Sequence, residues 1–172
     1  MLAGAYTDEK RKDLFGQLSL GASQLLPPLP VLKLQSLVGI DFNYAILDSD
    51  QHNYDASRTR FNPDYYDYVE YHVSPKVAGR FFGKLDWALI YDYGKRSYNH
   101  RNSQALDGSY LESKIELDTH TLSYSFQYPL PWGLKAVAQG VYRRSKSNMD
   151  YEKTYRYNYI AQHYFAGLSW EY

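Results

Sequence analysis

The sequence predicts an all-β protein, an antiparallel up-and-down transmembrane β-barrel of eight strands, from three observations. Apolar and polar residues alternate along most of the extended segments, prolines and long polar stretches cut the chain between them, and the composition is dominated by aromatic residues. Only alternate residues of a membrane barrel face lipid, so such a chain can be polar on average and still cross a membrane.

Each strand rests on its own pattern. In Arg80–Tyr93, Phe81, Leu85, Trp87, Leu89, Tyr91 and Tyr93 share one face, opposite Lys84, Asp86 and Asp92. Val31–Leu47 sets Leu32, Leu34, Val38, Ile40, Phe42, Tyr44 and Ile46 against Lys33, Gln35, Asp41 and Asn43. In Tyr110–Tyr128, Leu122, Tyr124, Phe126 and Tyr128 oppose Thr119, Thr121, Ser123, Ser125 and Gln127. Leu14–Leu26, Tyr65–Val73, Leu134–Arg144 and Tyr157–Tyr172 complete seven strands, and Leu2–Tyr6 supplies a short eighth. Leu134–Arg144 is ambiguous, because Val137 and Val141 fall on its polar side.

The punctuation sets the topology. Proline cannot donate to a ladder, and on this reading all seven prolines avoid the strands, six of them lying in three short connections: Pro27–Pro30, Ser74–Gly79 and Pro129–Gly133. Longer polar stretches, Asp48 to Pro63, Gly94 to Gly108 and Ser145 to Asn158, alternate with these. Short turns on one side and long loops on the other are the asymmetry of outer-membrane barrels. With the last strand ending in the periplasm, Leu2–Tyr6 runs upward into the loop Thr7–Asp13, and the whole of 1–172 reads as one barrel domain.

Composition excludes several classes. With 20 Tyr, 3 Trp and 7 Phe in 172 residues, the chain suits a wall that meets headgroups, where a phenol ring stays apolar and its hydroxyl wet. Mean hydropathy is −0.59 and no apolar run approaches the ~20 residues of a transmembrane helix. Lys plus Arg and Asp plus Glu both number 19, which argues against a nucleic-acid partner held by a basic surface. The absence of cysteine removes disulfides, thiolate metal sites and a cysteine nucleophile. Met1–Tyr6 runs into Thr7–Asp13 without the basic start and apolar core of a signal peptide, so an exported chain would be a mature form or an excised section.

Candidate chemistry is sparse. On this register Lys33, Asp41, Glu70, Lys84, Asp86, Asp92, Lys135, Arg143 and Glu171 point into the barrel, where they are expected to pair with one another. A charged lining for solute passage is the competing reading and needs a wider ring. Glu70 and His72 share a face and could orient an imidazole as a base, but His72 lies beside the expected Ser74–Pro75 turn, far from the outer leaflet. His163 points inward, His120 toward lipid, and His52 and His100 lie in loops without ligand-spaced partners. No Gly-x-Ser-x-Gly occurs, and no catalytic, cofactor or metal residue is assigned. Tyrosine clusters at Asp64–Tyr68 and Tyr151–Tyr159 read as an interfacial girdle, with a carbohydrate- or protein-binding rim as the alternative.

The last strand carries the family resemblance. Ile160, Tyr164, Ala166, Leu168, Trp170 and Tyr172 share a face, opposite His163, Gly167, Ser169 and Glu171. Its ending, Gly167 through Trp170 to Tyr172, resembles the C-terminal β-signal that bacterial outer-membrane barrels present to their insertion machinery. Tyr142–Asn148, Tyr155–Asn158 and Ala166–Tyr172 together resemble the last hairpin of outer-membrane porins found beside polysaccharide-export genes or fused behind helical repeats. The resemblance implies outer-membrane lipid and the barrel-insertion machinery as partners, no catalytic residue, and a parent barrel that can exceed eight strands. The expected role is non-enzymatic, a scaffold displaying polar loops or a section of an export or diffusion porin. The alternatives are a lipid-modifying outer-membrane enzyme and a soluble lipocalin-like barrel, which would turn Trp87 and Leu89 inward.

Overall fold

The computed structural model describes residues 12–54, 60–152 and 155–170. The strands are β1 (Asp13–Leu25), β2 (Gln35–Ser49), β3 (Asn53–Tyr54), β4 (Phe61–Asn62), β5 (Tyr68–Phe81), β6 (Leu85–Gln104), β7 (Tyr110–Pro129), β8 (Leu134–Ser147) and β9 (Tyr159–Trp170). The seven long ones form a single antiparallel up-and-down sheet in chain order, while β3 and β4 make a small ladder within the β2–β5 connection. Among the described residues there is no α-helix.

Seven is odd, so β1 and β9 run in the same direction. Among the described residues they do not pair, and the sheet is open along both. The expected closed ring of eight is therefore not formed by these residues, and the eighth strand expected at Leu2–Tyr6 lies outside them.

Proline placement needs correction. Pro75 stands in the middle of β5, opposite Ile40, where the sequence reading put a turn. The β5–β6 ladder keeps one register on both sides, Val73 opposite Tyr93 and Lys76 opposite Ile90, and lapses only across Ser74 and Pro75. Pro75 has no N–H to donate, so the strand continues while one stretch of bonding is lost. The reversal lies further on. Phe82 and Gly83 take left-handed conformations with φ 50° and 68°, and the Lys84 N–H closes on the Phe81 carbonyl at 2.9 Å. Positive φ at both central residues matches the twist of a tight hairpin. At the other boundary, Pro30–Leu32 form a 3-10 turn ended by left-handed Lys33, so β2 starts at Gln35 and not at Val31.

The stretch Gly94 to Gly108, read as a loop, is mostly strand. β6 and β7 are each 20 residues long and project beyond their neighbours, closing at 105–109 after register shifts between Ser97 and Gln104. A strand polar on both faces carries no alternation, and composition alone does not separate it from a loop.

Burial inverts the usual order of a soluble sheet. Along β2, Ile40, Phe42, Tyr44 and Ile46 are exposed, while Asp41, Asn43, Ala45 and Leu47 between them are half-buried. Ile40 is 51% exposed, and on the edge strands Leu20 and Leu168 reach 60% and 68%. The sheet thus curls with its polar face concave and its apolar face outward. Among the described residues, buried apolar side chains are confined to Ile115, Met149 and Tyr157, with Tyr98, Leu117 and Tyr151 packed against them. This small core lies at the loop end, where the β6–β7 extension meets the β8–β9 connection.

All three tryptophans gather at the opposite, short-turn end. Trp87 pairs with Gly79 near the Phe82–Gly83 turn, Trp132 lies in the 3-10 turn Pro131–Gly133, and Trp170 is opposite Leu134. The Trp170 indole N–H donates to the Trp132 carbonyl at 3.1 Å. Toward the loop end, the convex face carries Tyr71, Tyr91, Tyr93 and His120. The Tyr91 hydroxyl bonds His120 Nδ1 at 2.6 Å, and the Tyr93 hydroxyl donates to Asp118 at 2.8 Å.

Candidate functional site

Antiparallel register stacks polar side chains into rungs on the concave face, because opposite and diagonal neighbours on one face come within reach. Nearest the short turns, Arg80 is paired with Asp86, its Nε and Nη2 donating at 2.5 and 2.9 Å. Next, Lys76 reaches diagonally to Asp41 at 2.6 Å. Higher still, Asp92 accepts from Ser74 Oγ at 2.6 Å and lies 2.9 Å from His72 Nδ1. Glu70 takes the other imidazole nitrogen at 3.1 Å and Arg96 at 2.8 Å. Gly94 makes this rung possible: a Cβ there would lie 2.5 Å from the His72 ring.

The position of His72 also needs correction. It sits within a continuous strand, beside Ser74 and Asp92, not at a turn. The three residue types of a nucleophilic triad are therefore together, but in the wrong order of contact. Ser74 and His72 both bond to Asp92, and the imidazole is not hydrogen-bonded to the serine as its base. Ser74 is thus held as a donor to a carboxylate.

Between β6 and β9 the lining turns apolar. Ile90, Val141 and Phe165 border a shallow depression of about 350 Å³. The ambiguity of Leu134–Arg144, within β8, is explained here: Val141 does face the polar side, between Ser123 and His163, as part of this patch.

At the loop end a cavity of about 390 Å³ opens on the same face, lined by arginines and tyrosines. Arg101 is buried there, its guanidinium 4.2 Å from the Tyr65 ring and 4.4 Å from the Tyr98 ring, and it donates to the Tyr157 hydroxyl. Burial pushes the Tyr157 phenol up from its ordinary range, against the opposing pull of Arg101. Beside this cage, the Asp67 carboxylate accepts the Ser49 N–H at 2.7 Å and faces His100 at 3.5 Å. Asp64, Asp67 and His100 bring ligand-type atoms within 4.8 Å of one another, a juxtaposition of distant segments that sequence spacing could not reveal.

Of the expected inward charges, Asp41, Glu70, Asp86, Asp92, Lys135 and Arg143 lie on the concave face. Lys33 and Lys84 sit in turns beyond the strand ends, and Glu171 lies outside the described residues. Lys76, Arg80 and Arg96 complete the rungs. Lys76 is hidden in a stretch, 74–79, that reads as a turn, and Arg96 in one, 94–108, that reads as a loop. Arg80, by contrast, opens the expected strand Arg80–Tyr93 on the face of Lys84 and Asp86, so period-2 alternation carried back to it, and through Pro75 to Lys76, finds both. Within the terminal signal, Gly167 and Trp170 occupy β9, while Tyr172 lies outside the described residues. No protein-family model, curated protein or solved structure matches the chain.

Proposed function

We propose that this sheet is the wall of a non-enzymatic transmembrane β-barrel of a bacterial outer membrane, displaying its polar loops or forming a section of a porin. The observation that carries the reading is the inverted amphipathicity: an apolar convex face spread over seven strands, opposite a concave face of paired charges. Seven strands at ~4.8 Å spacing, with the run from Leu85 to Tyr93 measuring about 27 Å, project over roughly 900 Å². The largest apolar patch of a soluble monomer is about 300–600 Å². The tryptophan end and the tyrosine–histidine end bound this band as aromatic girdles bound a membrane barrel. Outer-membrane lipid is then the partner of the convex face, and the insertion machinery that of Gly167, Trp170 and Tyr172.

Barrel closure is part of the same proposal. β1 carries one charged residue, Asp13, and β9 has no Asp, Glu, Lys or Arg, so neither edge has the charges that guard exposed strands. Because they run parallel, an all-antiparallel ring needs at least one further strand, the role assigned to Leu2–Tyr6. That segment reaches ~17 Å when extended, against ~40 Å for β9. The mismatch favours a second reading, in which the sheet is a section of a wider barrel.

Refolding into detergent micelles tests the membrane assignment. A β-rich circular dichroism spectrum with heat-modifiable gel mobility is the expected result. A monodisperse monomer in plain buffer overturns it.

A further inference from the structure

We propose that the loop-end cavity is a binding site for a small organic anion, a carboxylate carried on a ring. Its size, about 390 Å³, falls in the range of roughly 300–1,000 Å³ typical of small-molecule sites.

The lining is unbalanced in charge. Arg96, Arg101 and Arg143 border the cavity, and among the described residues Glu70 is the one acid that lines it. Glu70 is already engaged by Arg96 and His72. Arg101 has no carboxylate partner among the described residues; its charge rests on the faces of Tyr65 and Tyr98 and on the Tyr157 hydroxyl. Arg143 has neither an ion pair nor a side-chain hydrogen bond among the described residues, and Arg96 Nε is shielded from solvent without an acceptor. Unpaired guanidinium groups at a cavity wall are donors arranged for a planar anion, which they grip with two parallel hydrogen bonds.

The register leaves Arg143 free to do so. It stands between Thr121 and Ala161, two small neighbours, while the adjacent Arg144 faces the convex side opposite His120 and Ile160. The remaining wall is aromatic. Tyr155 is 61% exposed at the mouth, edge-on to Tyr157 at 4.8 Å, with Tyr159 beside it. Exposed phenol rings offer a stacking surface to a ring, whether aromatic or a sugar, with little entropy lost. An inorganic anion would use the arginines and leave these rings idle.

The test is calorimetric titration of the detergent-folded chain, with far-ultraviolet circular dichroism as the control for folding. Probes are 4-hydroxybenzoate and glucuronate, their uncharged counterparts 4-hydroxybenzyl alcohol and glucose, and acetate as an anion without a ring. At least one ring carboxylate should bind tenfold or more tightly than its uncharged counterpart and than acetate, and which of the two binds identifies the ring. Arg143→Gln should weaken binding at least tenfold, and Arg144→Gln should leave it unchanged. If Arg143→Gln fails to fold, Tyr155→Ala should give the same selective loss. Equal binding of the uncharged counterparts or of acetate, binding of neither ring carboxylate, or indifference to substitutions in the cavity would overturn the assignment. The proposal does not depend on membrane insertion, which the folding assay reads separately.

Discussion

Lys76 on β5 crosses the concave face to Asp41 on β2, its Nζ 2.6 Å from Oδ2. Both partners stand beside glycines: a Cβ at Gly39 would lie 2.8 Å from the Lys76 chain, and one at Gly21 2.5 Å from the Asp41 carboxylate. Small residues thus clear the space in which the charged pair lies across the strands. Together with the Arg80–Asp86, His72–Asp92 and Arg96–Glu70 rungs, it occupies the surface that a closed wall would turn inward.

Ion conduction by the isolated chain is expected to be poor. An eight-stranded ring would be just wide enough for its own side chains, and on the concave face the charged ones are already paired between neighbouring strands. Planar-bilayer recordings check this. Large, steady single-channel currents would place the rungs around a wider passage, as in the wider-barrel reading.

Leu89→Lys separates a lipid-facing wall from a water-facing one. Leu89 is exposed near the middle of the convex band, where a soluble protein would accept lysine at little cost. In a bilayer, a lysine near the midplane costs about 2–4 kcal/mol. Urea unfolding in lipid vesicles should show a loss of that order, and an unchanged midpoint would count against the membrane reading.

Glu70→Gln is expected to be the most disruptive neutralisation on the concave face. Its side chain is 19% exposed and offers one oxygen to Arg96 and the other to His72, so the substitution removes the charge from both contacts and replaces one of the two acceptor oxygens by an NH2 facing a half-buried donor. A loss of about 1–3 kcal/mol follows from leaving such groups poorly satisfied. Asp86→Asn, in a pair whose side chains are 53% and 46% exposed, should change the unfolding midpoint far less.

Replacing Trp170 and Tyr172 by serine should lower the amount of chain assembled in the outer membrane several-fold, with synthesis unchanged. Trp170 also ties β9 to the Pro131–Gly133 turn through its indole N–H. Trp132 presents only its carbonyl to that bond, so Trp132→Ala keeps the acceptor and should preserve assembly. Fractionation and heat-modifiable mobility read the result.

Acid should loosen the β8–β9 connection. Burial acts to raise the Glu152 carboxyl, but hydrogen bonds from the Asn158 backbone and side chain and the Tyr157 N–H outweigh it and hold the group below its ordinary value. A carboxyl depressed in the folded state stabilises it fully above the unfolded value and loses that contribution as pH falls through the folded one. Amide exchange at Tyr157 and Asn158, after allowance for intrinsic rates, should therefore accelerate as pH drops below about 4.5, the ordinary glutamate value. In Glu152→Gln this step should be absent.

The sequence by itself determined the all-β class, the chain-order antiparallel sheet and the apolar face of the strands whose alternation is clean, though not that of Leu134–Arg144. The side-chain period of a strand is two, and alternation such as that from Val38 to Ile46 survives without knowledge of any neighbour. Only the tertiary structure decided where strands end when that signal fades. Pro75 stays in β5 because cross-strand register holds on both sides of it, and Lys95–Gln104 remain extended because β7 offers a partner. The Arg101 cage and the loop-end cavity were hidden for a related reason. Tyr65, Tyr98 and Tyr157 are far apart in sequence, and only the meander brings their segments to one end of the sheet.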